Sequence, residues 1–125
     1  MDLNLFGLGT EFDHIGIAVS SIDQSFKKIP DPIQKVCVAF TNIHGFKVEL
    51  VEPFGEDSPV TELLKKSIKT YHICFRVKDV HKAIEKAKDS GFYCIAKPVP
   101  AKAFEGRKVA WLFSGTYGLI ELLEE

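Results

Sequence analysis

The stretch Thr70–Gly91, TYHICFRVKDVHKAIEKAKDSG, carries both of the periods from which the fold is read. Tyr71, Ile73, Phe75 and Val77 alternate with His72, Cys74 and Arg76, the period of two that marks a strand with one face in a core. Asp79 then occupies an N-cap position. Val80, Ala83, Ile84 and Ala87 recur at helical spacing until Gly91 ends the helix. A histidine is thus expected on the less apolar face of a strand that leads directly into a helix. The same pattern stands at Phe12–Ile29, FDHIGIAVSSIDQSFKKI. There His14 aligns with His72, Ile15 with Ile73, Ile17 with Phe75, Val19 with Val77, Ser21 with Asp79 and Phe26 with Ile84. The chain reads as a duplicated module, each copy presenting one strand histidine.

Outward from these two stretches the chain fills in. The leader Asp2–Thr10 is expected as an extra edge segment. Phe12–Val19 is a strand whose small residues Gly16 and Ala18 leave room beside His14. Ser20 and Ser21 cap a short helix over Ile22–Lys28, closed by Pro30-Asp31-Pro32. Gln34–Thr41 is a strand, Asn42–Gly45 a hairpin turn and Phe46–Val51 the returning strand. Pro53–Ser67 is a linker with a short helix opened by Asp57-Ser58-Pro59, Leu63 and Leu64 facing inward. The second copy runs through a strand (Thr70–Val77), a helix (Val80–Ser90), a strand (Phe92–Lys97), a proline-rich loop (Val99–Arg107) and a closing hairpin. That hairpin has strands Lys108–Phe113 and Gly118–Leu123 around Ser114-Gly115-Thr116-Tyr117. FKVELVE at 46–52 and GLIELLE at 118–124 match, each with glutamate fourth. The histidine-to-glutamate spacing is 35 residues in the first copy and 49 in the second, so the second carries 14 more between helix and hairpin. One domain over 1–125 is expected, with module one at about 11–52, a linker helix at 53–69 and module two at 70–125.

Length and composition set bounds. A chain of 125 residues that is 46% apolar and 26% charged can bury an ordinary globular core without disulfides or metals as staples. A formal net charge of −1 offers no electrostatic attraction to nucleic acid or an anionic membrane. Cys37, Cys74 and Cys94 lack motif spacing and read as reduced core residues of a cytoplasmic protein. MDLNLFGLGTEF has neither a basic start nor a long apolar run, so no signal peptide or membrane span is expected.

His14, Glu49, His72 and Glu121 form a set of two imidazoles and two carboxylates. Any one of them alone reads more readily as a satisfied core residue or a solvent-facing one. Their recurrence at matching points of two copies makes them a candidate site. Two nitrogen and two oxygen donors suit Ni²⁺, Co²⁺, Mn²⁺, Fe²⁺ or Zn²⁺, with coordination positions left open. Such an ion acts as a Lewis acid that steadies an enediolate, and Glu121 and Glu49 are the candidate proton carriers. His44 in the turn and His81 on the helix read as solvated residues. Cys74 reads as a packing residue that shares the face of His72, Arg76 and Arg107 as candidate anion contacts, and Tyr117, Trp111 and Phe113 as core.

GFKVELVEP followed by EDSPV, then YHICFRVKDV, RKVAWLF and GLIELLEE, resemble the vicinal oxygen chelate superfamily, which also contains bleomycin resistance proteins and dioxygenases. The resemblance covers nearly all of the chain from Phe12. It is nearest to methylmalonyl-CoA epimerases, with glyoxalase I (lactoylglutathione lyase) as a near relative. It implies an α+β fold of two paired βαβββ modules forming an open curved barrel, the first module shortened. It also implies that His14, Glu49, His72 and Glu121 ligate one divalent metal. Two departures stand out. The first module is cut short between Ser25 and Val36, so its second strand is expected to be missing. Where some epimerases carry a further glutamate, this chain has Val38.

The resemblance implies an enzyme that abstracts a proton beside a carbonyl or thioester, acting on a small-molecule thioester or on the hemithioacetal of a glyoxalase. A coenzyme A tail needs cations at the mouth, for which Lys97, Lys102 and Arg107 are candidates. Glutathione needs a smaller patch of mixed charge. A metal-free binder of the same fold would lack the four-residue set, and an extradiol dioxygenase would use three ligands. Exposed sheet edges point to a homodimer, and in the glyoxalase I relatives the ligand pairs come from different subunits; His14 and Glu49 could meet His72 and Glu121 within one chain or across two. No nucleic-acid or membrane partner is expected.

Overall fold

The computed structural model describes residue 1 and residues 3–125. Module one contributes strands β1 (Glu11–Ala18), β2 (Ile29–Asp31), β3 (Val36–Ile43) and β4 (Phe46–Pro53). Helix α1 (Pro59–Lys65) crosses to module two, which comprises β5 (Thr70–Val77), α2 (Val80–Lys88), β6 (Tyr93–Pro100), β7 (Lys108–Ser114) and β8 (Gly118–Glu124). All eight strands form one sheet in the order β2-β3-β4-β1-β5-β8-β7-β6. Within each half the histidine strand runs parallel to the last strand, β1 with β4 and β5 with β8. The antiparallel pair β1–β5 joins the halves. The sheet curls far enough for its two ends to touch: Lys102 N donates to Asp31 Oδ2 at 3.2 Å, and Trp111 Nε1 donates to Gln34 Oε1 at 3.2 Å.

Local chemistry explains the elements. Ser58 caps α1, accepting from Val60 N, with Pro59 at the start where a missing N–H costs nothing. Asp79 caps α2 by accepting from Lys82 N. Val80, Ala83, Ile84 and Ala87 lay that helix on the outer face of module two, against Ile120, Leu122, Ala110 and Leu112. The β3–β4 turn at His44-Gly45 has both residues at positive φ (48° and 89°), the geometry of a two-residue hairpin whose twist matches its strands. The repeat extends to a backbone bond. Glu124 accepts from Val80 N at 2.9 Å, and its counterpart Glu52 accepts from Ile22 N at 3.1 Å.

Five expectations are corrected. Residues 22–28 form turns, not a helix. Asp23 uses its carboxylate on Ser25 N at 2.8 Å and its carbonyl on Phe26 N at 3.1 Å, and so short a segment ahead of two prolines cannot repay helix nucleation. Ile22 is nonetheless buried, at 3% exposure. The second strand of module one is present, cut to the three residues of β2, which pair with β3. Residues 3–10 make no strand. Phe6 instead plugs the α2 core, its ring 5.5 Å from Phe75 and 5.4 Å from Phe92; Asp2 lies outside the described residues. The histidines occupy the more buried face: His14, Gly16 and Ala18 are buried while Ile15 and Ile17 are only partly so, and Ile73 is exposed beside buried His72 and Cys74. Finally, Cys94 is exposed, because β6 is the edge strand and displays Tyr93, Cys94 and Ile95 to solvent. Cys37 and Cys74 are buried as expected.

Asp31 compensates for the shortness of β2. It is 2% exposed and accepts from Ile33 N, Gln34 N and Gln34 Nε2 as well as from Lys102 N. Asp31→Ala would leave several partly buried donors without their acceptor. It is expected to cost about 2–4 kcal/mol in urea-unfolding stability, with Asp31→Asn losing roughly half as much.

Candidate metal centre

The pairing registers place the four candidate residues. β1 and β5 run antiparallel with His14 opposite Cys74 and His72 opposite Gly16. The parallel pairs set Glu49 beside Gly16 and Glu121 beside Cys74. Gly16 and Cys74 are themselves equivalent in the repeat, so the four side chains enter the interior about a local two-fold. His14 Nε2 lies 3.3 Å from His72 Nε2, 3.5 Å from Glu49 Oε1 and 3.2 Å from Glu121 Oε1. His72 Nε2 lies 3.5 Å from Glu49 Oε1 and 3.3 Å from Glu121 Oε1. All come from one chain, and all four residues are buried.

The donor set fits a divalent ion. Ligand atoms about 2.1 Å from one cation and set at octahedral or tetrahedral angles lie about 3.0–3.4 Å from each other, close to these separations. Glu121 Oε1 is buried yet makes no hydrogen bond with acceptable angles, although two imidazole nitrogens stand near it. Buried orphan acceptors are rare, and a cation among these atoms would satisfy this one. The same set could therefore hold Ni²⁺, Co²⁺, Mn²⁺, Fe²⁺ or Zn²⁺.

Aromatic rings fix the imidazoles. Phe104 stacks on His14 at 5.7 Å between centroids, and Trp111 and Tyr71 stand edge-on to His72 at 4.8 and 4.5 Å. Beside the site opens a cavity of about 580 Å³, reached by Glu49 and Glu121 and walled by Val36, Val38, Val51, Leu63, Trp111 and Leu119. Among the described residues, Lys97 is the one cation on its lining.

Electrostatics follow from burial and neighbours. Burial alone would make His14 a weaker base, but Asp13, Cys74, Glu121 and Glu49 outweigh it and raise its pKa well above the imidazole range. Burial pushes the Glu121 carboxyl up, whereas His14 and His72 pull it down to about 2. Burial drives the Tyr71 phenol well above its ordinary value, reinforced by Glu49 and Glu121, so it stays protonated beside the carboxylates.

These shifts give a sign for pH dependence without metal. Folded His14 keeps a proton that the unfolded chain releases near pH 6.5. Its contribution is therefore fully present below that pH and is lost as pH rises through the folded value. In chelator, urea midpoints are expected to fall between pH 7 and 9, with a slope approaching about 1.4 kcal/mol per pH unit. A saturating divalent ion displaces that proton, so its stabilising effect is expected to grow over the same range.

Arg76 does not face the cavity as an anion contact; its Nη1 lies 2.6 Å from Asp13 Oδ1 and its Nη2 3.4 Å from Glu11 Oε2. Arg107 donates from Nε to the Phe104 carbonyl at 3.3 Å. Lys102 enters through its backbone N–H, on Asp31. Lys97 does line the cavity. Trp111, expected in the core, is a cavity wall; Phe113 and Tyr117 are 44% and 45% exposed. Cys74 packs with Ala101, Phe104, Val109 and Leu123. His44 and His81 are exposed. Asp13, Tyr71 and Phe104 carried no sequence signal beyond their adjacency to a histidine or their place in a loop.

A profile of the Glyoxalase/Bleomycin resistance protein/Dioxygenase superfamily matches residues 25–111. The chain belongs to that superfamily. Among curated relatives it is 28% identical over 134 residues to the mitochondrial methylmalonyl-CoA epimerase of Dictyostelium discoideum, covering 95% of this chain and 80% of that one. It is 30% identical over 96 residues to the ethylmalonyl-CoA/methylmalonyl-CoA epimerase of Cereibacter sphaeroides, covering 74% and 72%. Among solved structures, a Bacillus halodurans C-125 hypothetical protein superposes with a TM-score of 0.75 at 33% identity, covering 94% of this chain and 95% of that one. A single-residue variant of Streptomyces coelicolor methylmalonyl-CoA epimerase, in complex with 2-nitronate-propionyl-CoA, superposes at 0.73 with 25% identity, covering 91% and 96%. The described residues contain no helix long and apolar enough to cross a membrane.

Proposed function

We propose that the chain is a divalent-metal-dependent enzyme that removes and returns a proton next to the carbonyl of an acyl thioester, as in methylmalonyl-CoA epimerisation. The observation that carries this reading is the convergence of two imidazole nitrogens and two carboxylate oxygens within 4.8 Å of one another at the floor of an apolar cavity. A divalent ion held by His14, Glu49, His72 and Glu121 supplies Lewis acidity that lowers the cost of a carbanion beside a carbonyl. The rest falls to the chain. Glu49 and Glu121 come from opposite modules, so one carboxylate can take a proton from one face of the α-carbon while the other returns it to the opposite face. Tyr71, kept protonated by burial, has an O–H to donate to a developing oxyanion. The apolar walls exclude water from the carbanion, and Lys97 is placed to meet the anionic part of a long thiol carrier.

The names of the relatives support a coenzyme A thioester over a glutathione hemithioacetal, which would want more mixed charge than this lining offers. The test is a paired assay on metal-free protein reloaded with Mn²⁺, Co²⁺, Ni²⁺ or Zn²⁺. Methylmalonyl-CoA epimerisation is expected to appear in at least one, and methylglyoxal–glutathione isomerisation in none. The opposite pattern would assign a lactoylglutathione lyase. No activity together with no ion retained per chain would leave a small-molecule binder. A homodimer is part of the same reading, supported by the exposed apolar edge strand β6 with Tyr93 and Ile95 71% and 58% exposed. Light scattering is expected to give twice the chain mass.

A further inference from the structure

β1 and β5 fall out of step at two places that the repeat relates, between Phe12 and His14 and between Gly16 and Ile17. Phe12 pairs with Phe75 and His14 with Cys74, so two steps on β1 match one on β5 and Asp13 is left as an extra residue, a β-bulge. In an unbroken strand Asp13 would point away from the face of His14. Bulges re-aim a side chain in this way and are enriched beside active sites. Here Asp13 Oδ2 accepts from His14 Nδ1 at 2.7 Å, while its Oδ1 takes Arg76 Nη1 at 2.6 Å and Lys47 Nζ stands 3.5 Å from Oδ2. Three strands thus grip one carboxylate whose side chain is 5% exposed. The second half repeats the bulge, since Gly16 pairs with His72 and Ile17 with Thr70, but not the carboxylate: Tyr71 is the extra residue there, and His72 Nδ1 is buried with no hydrogen-bond partner.

We infer that Asp13, clamped by Arg76, is a positioning residue for His14, holding its ring with Nδ1–H turned back to the carboxylate and Nε2 open toward the candidate ion. The inference rests on the metal reading above. It makes the two imidazoles unequal. His14 is the fixed, strongly donating ligand, because a carboxylate behind an imidazole sets its orientation and raises its donor strength. Behind its Nδ1, His72 has only the packing of Tyr71 and Trp111.

The test is zinc affinity, measured by chelator competition on the metal-free protein, with circular dichroism confirming the fold. Asp13→Ala is expected to weaken Zn²⁺ binding about 10- to 100-fold. Arg76→Ala is expected to weaken it several-fold in the parent and not at all in the Asp13→Ala background, because its effect passes through that carboxylate. In the zinc-loaded parent, ¹⁵N NMR is expected to show a slowly exchanging Nδ1 proton on His14 that is absent from Asp13→Ala. Should Asp13→Ala not fold, Asp13→Asn, which keeps the volume and removes the charge, carries the same measurements. Zinc affinity within two-fold of the parent, or additive losses from the two substitutions, overturns the inference while leaving the metal reading intact. A parent that retains no zinc overturns both.

Discussion

Glu121→Gln is expected to leave the fold and the bound ion in place and to lower epimerase turnover by about 10³-fold, within the range of about 10²–10⁴ that a positioned base contributes. The amide keeps an oxygen at the position of the ligand but cannot accept a proton. Glutamine is isosteric, so it fits the same buried space. The ionic attraction of two buried histidines for the carboxylate is lost, and with it the force that holds Glu121 down to about pKa 2. Stopped assays of inversion, together with deuterium wash-in at the α-carbon in D₂O, separate the two carboxylates. If one takes the proton and the other returns it, Glu121→Gln and Glu49→Gln each abolish inversion, while each keeps exchange on the face served by the remaining carboxylate. Full inversion by Glu121→Gln would remove that residue from the proton-carrying role and leave it, at most, a ligand.

How much of this site could be read from residues alone divides along a physical line. Periodicity fixes which strands exist, and a repeat fixes which positions are equivalent, so His14, Glu49, His72 and Glu121 are legible as a set without coordinates. The faces are not. Alternation on β5 separates two sets of residues but assigns the core to Ile73 and Phe75. In the curled sheet the inner side of β1 and β5 is the site itself, polar and tightly enclosed, and the outer apolar side is only partly covered, by Phe6 and α2. Helix propensity fails at 22–28 because side-chain and carbonyl acceptors on Asp23 offer the backbone turns at lower entropic cost. The bulge at Asp13 leaves no mark in the sequence, since any residue can be the extra one; only the register with β5 reveals it. Cys94 is misread for a related reason. An apolar run reads as buried, and nothing local says that β6 stands at the sheet edge.

Gly16→Ala is the substitution expected to cost most for one added methyl. His72 lies across Gly16 from the neighbouring strand, and a Cβ there would stand 1.9 Å from its Cε1, 2.3 Å from Nδ1 and 2.5 Å from Nε2. No relaxation of a flexible tip can absorb that overlap, because the obstacle is a ring wedged between Tyr71 and Trp111. Gly16 is not at positive φ, so the cost is wholly one of space. Overpacking of this kind costs about 1–3 kcal/mol, or roughly 10 °C in Tm for a chain of this size. The functional loss is expected to be larger than the structural one. A ring displaced by even an ångström leaves the common point of the four donors, so zinc affinity should fall by roughly 100-fold and turnover with it. Gly115→Ala is the control: nothing lies within 4 Å of its added Cβ, and Tm and zinc affinity should match the parent. A Gly16→Ala protein with parental zinc affinity would show that His72 is free to move aside and is no ligand, whatever its distance from the other three.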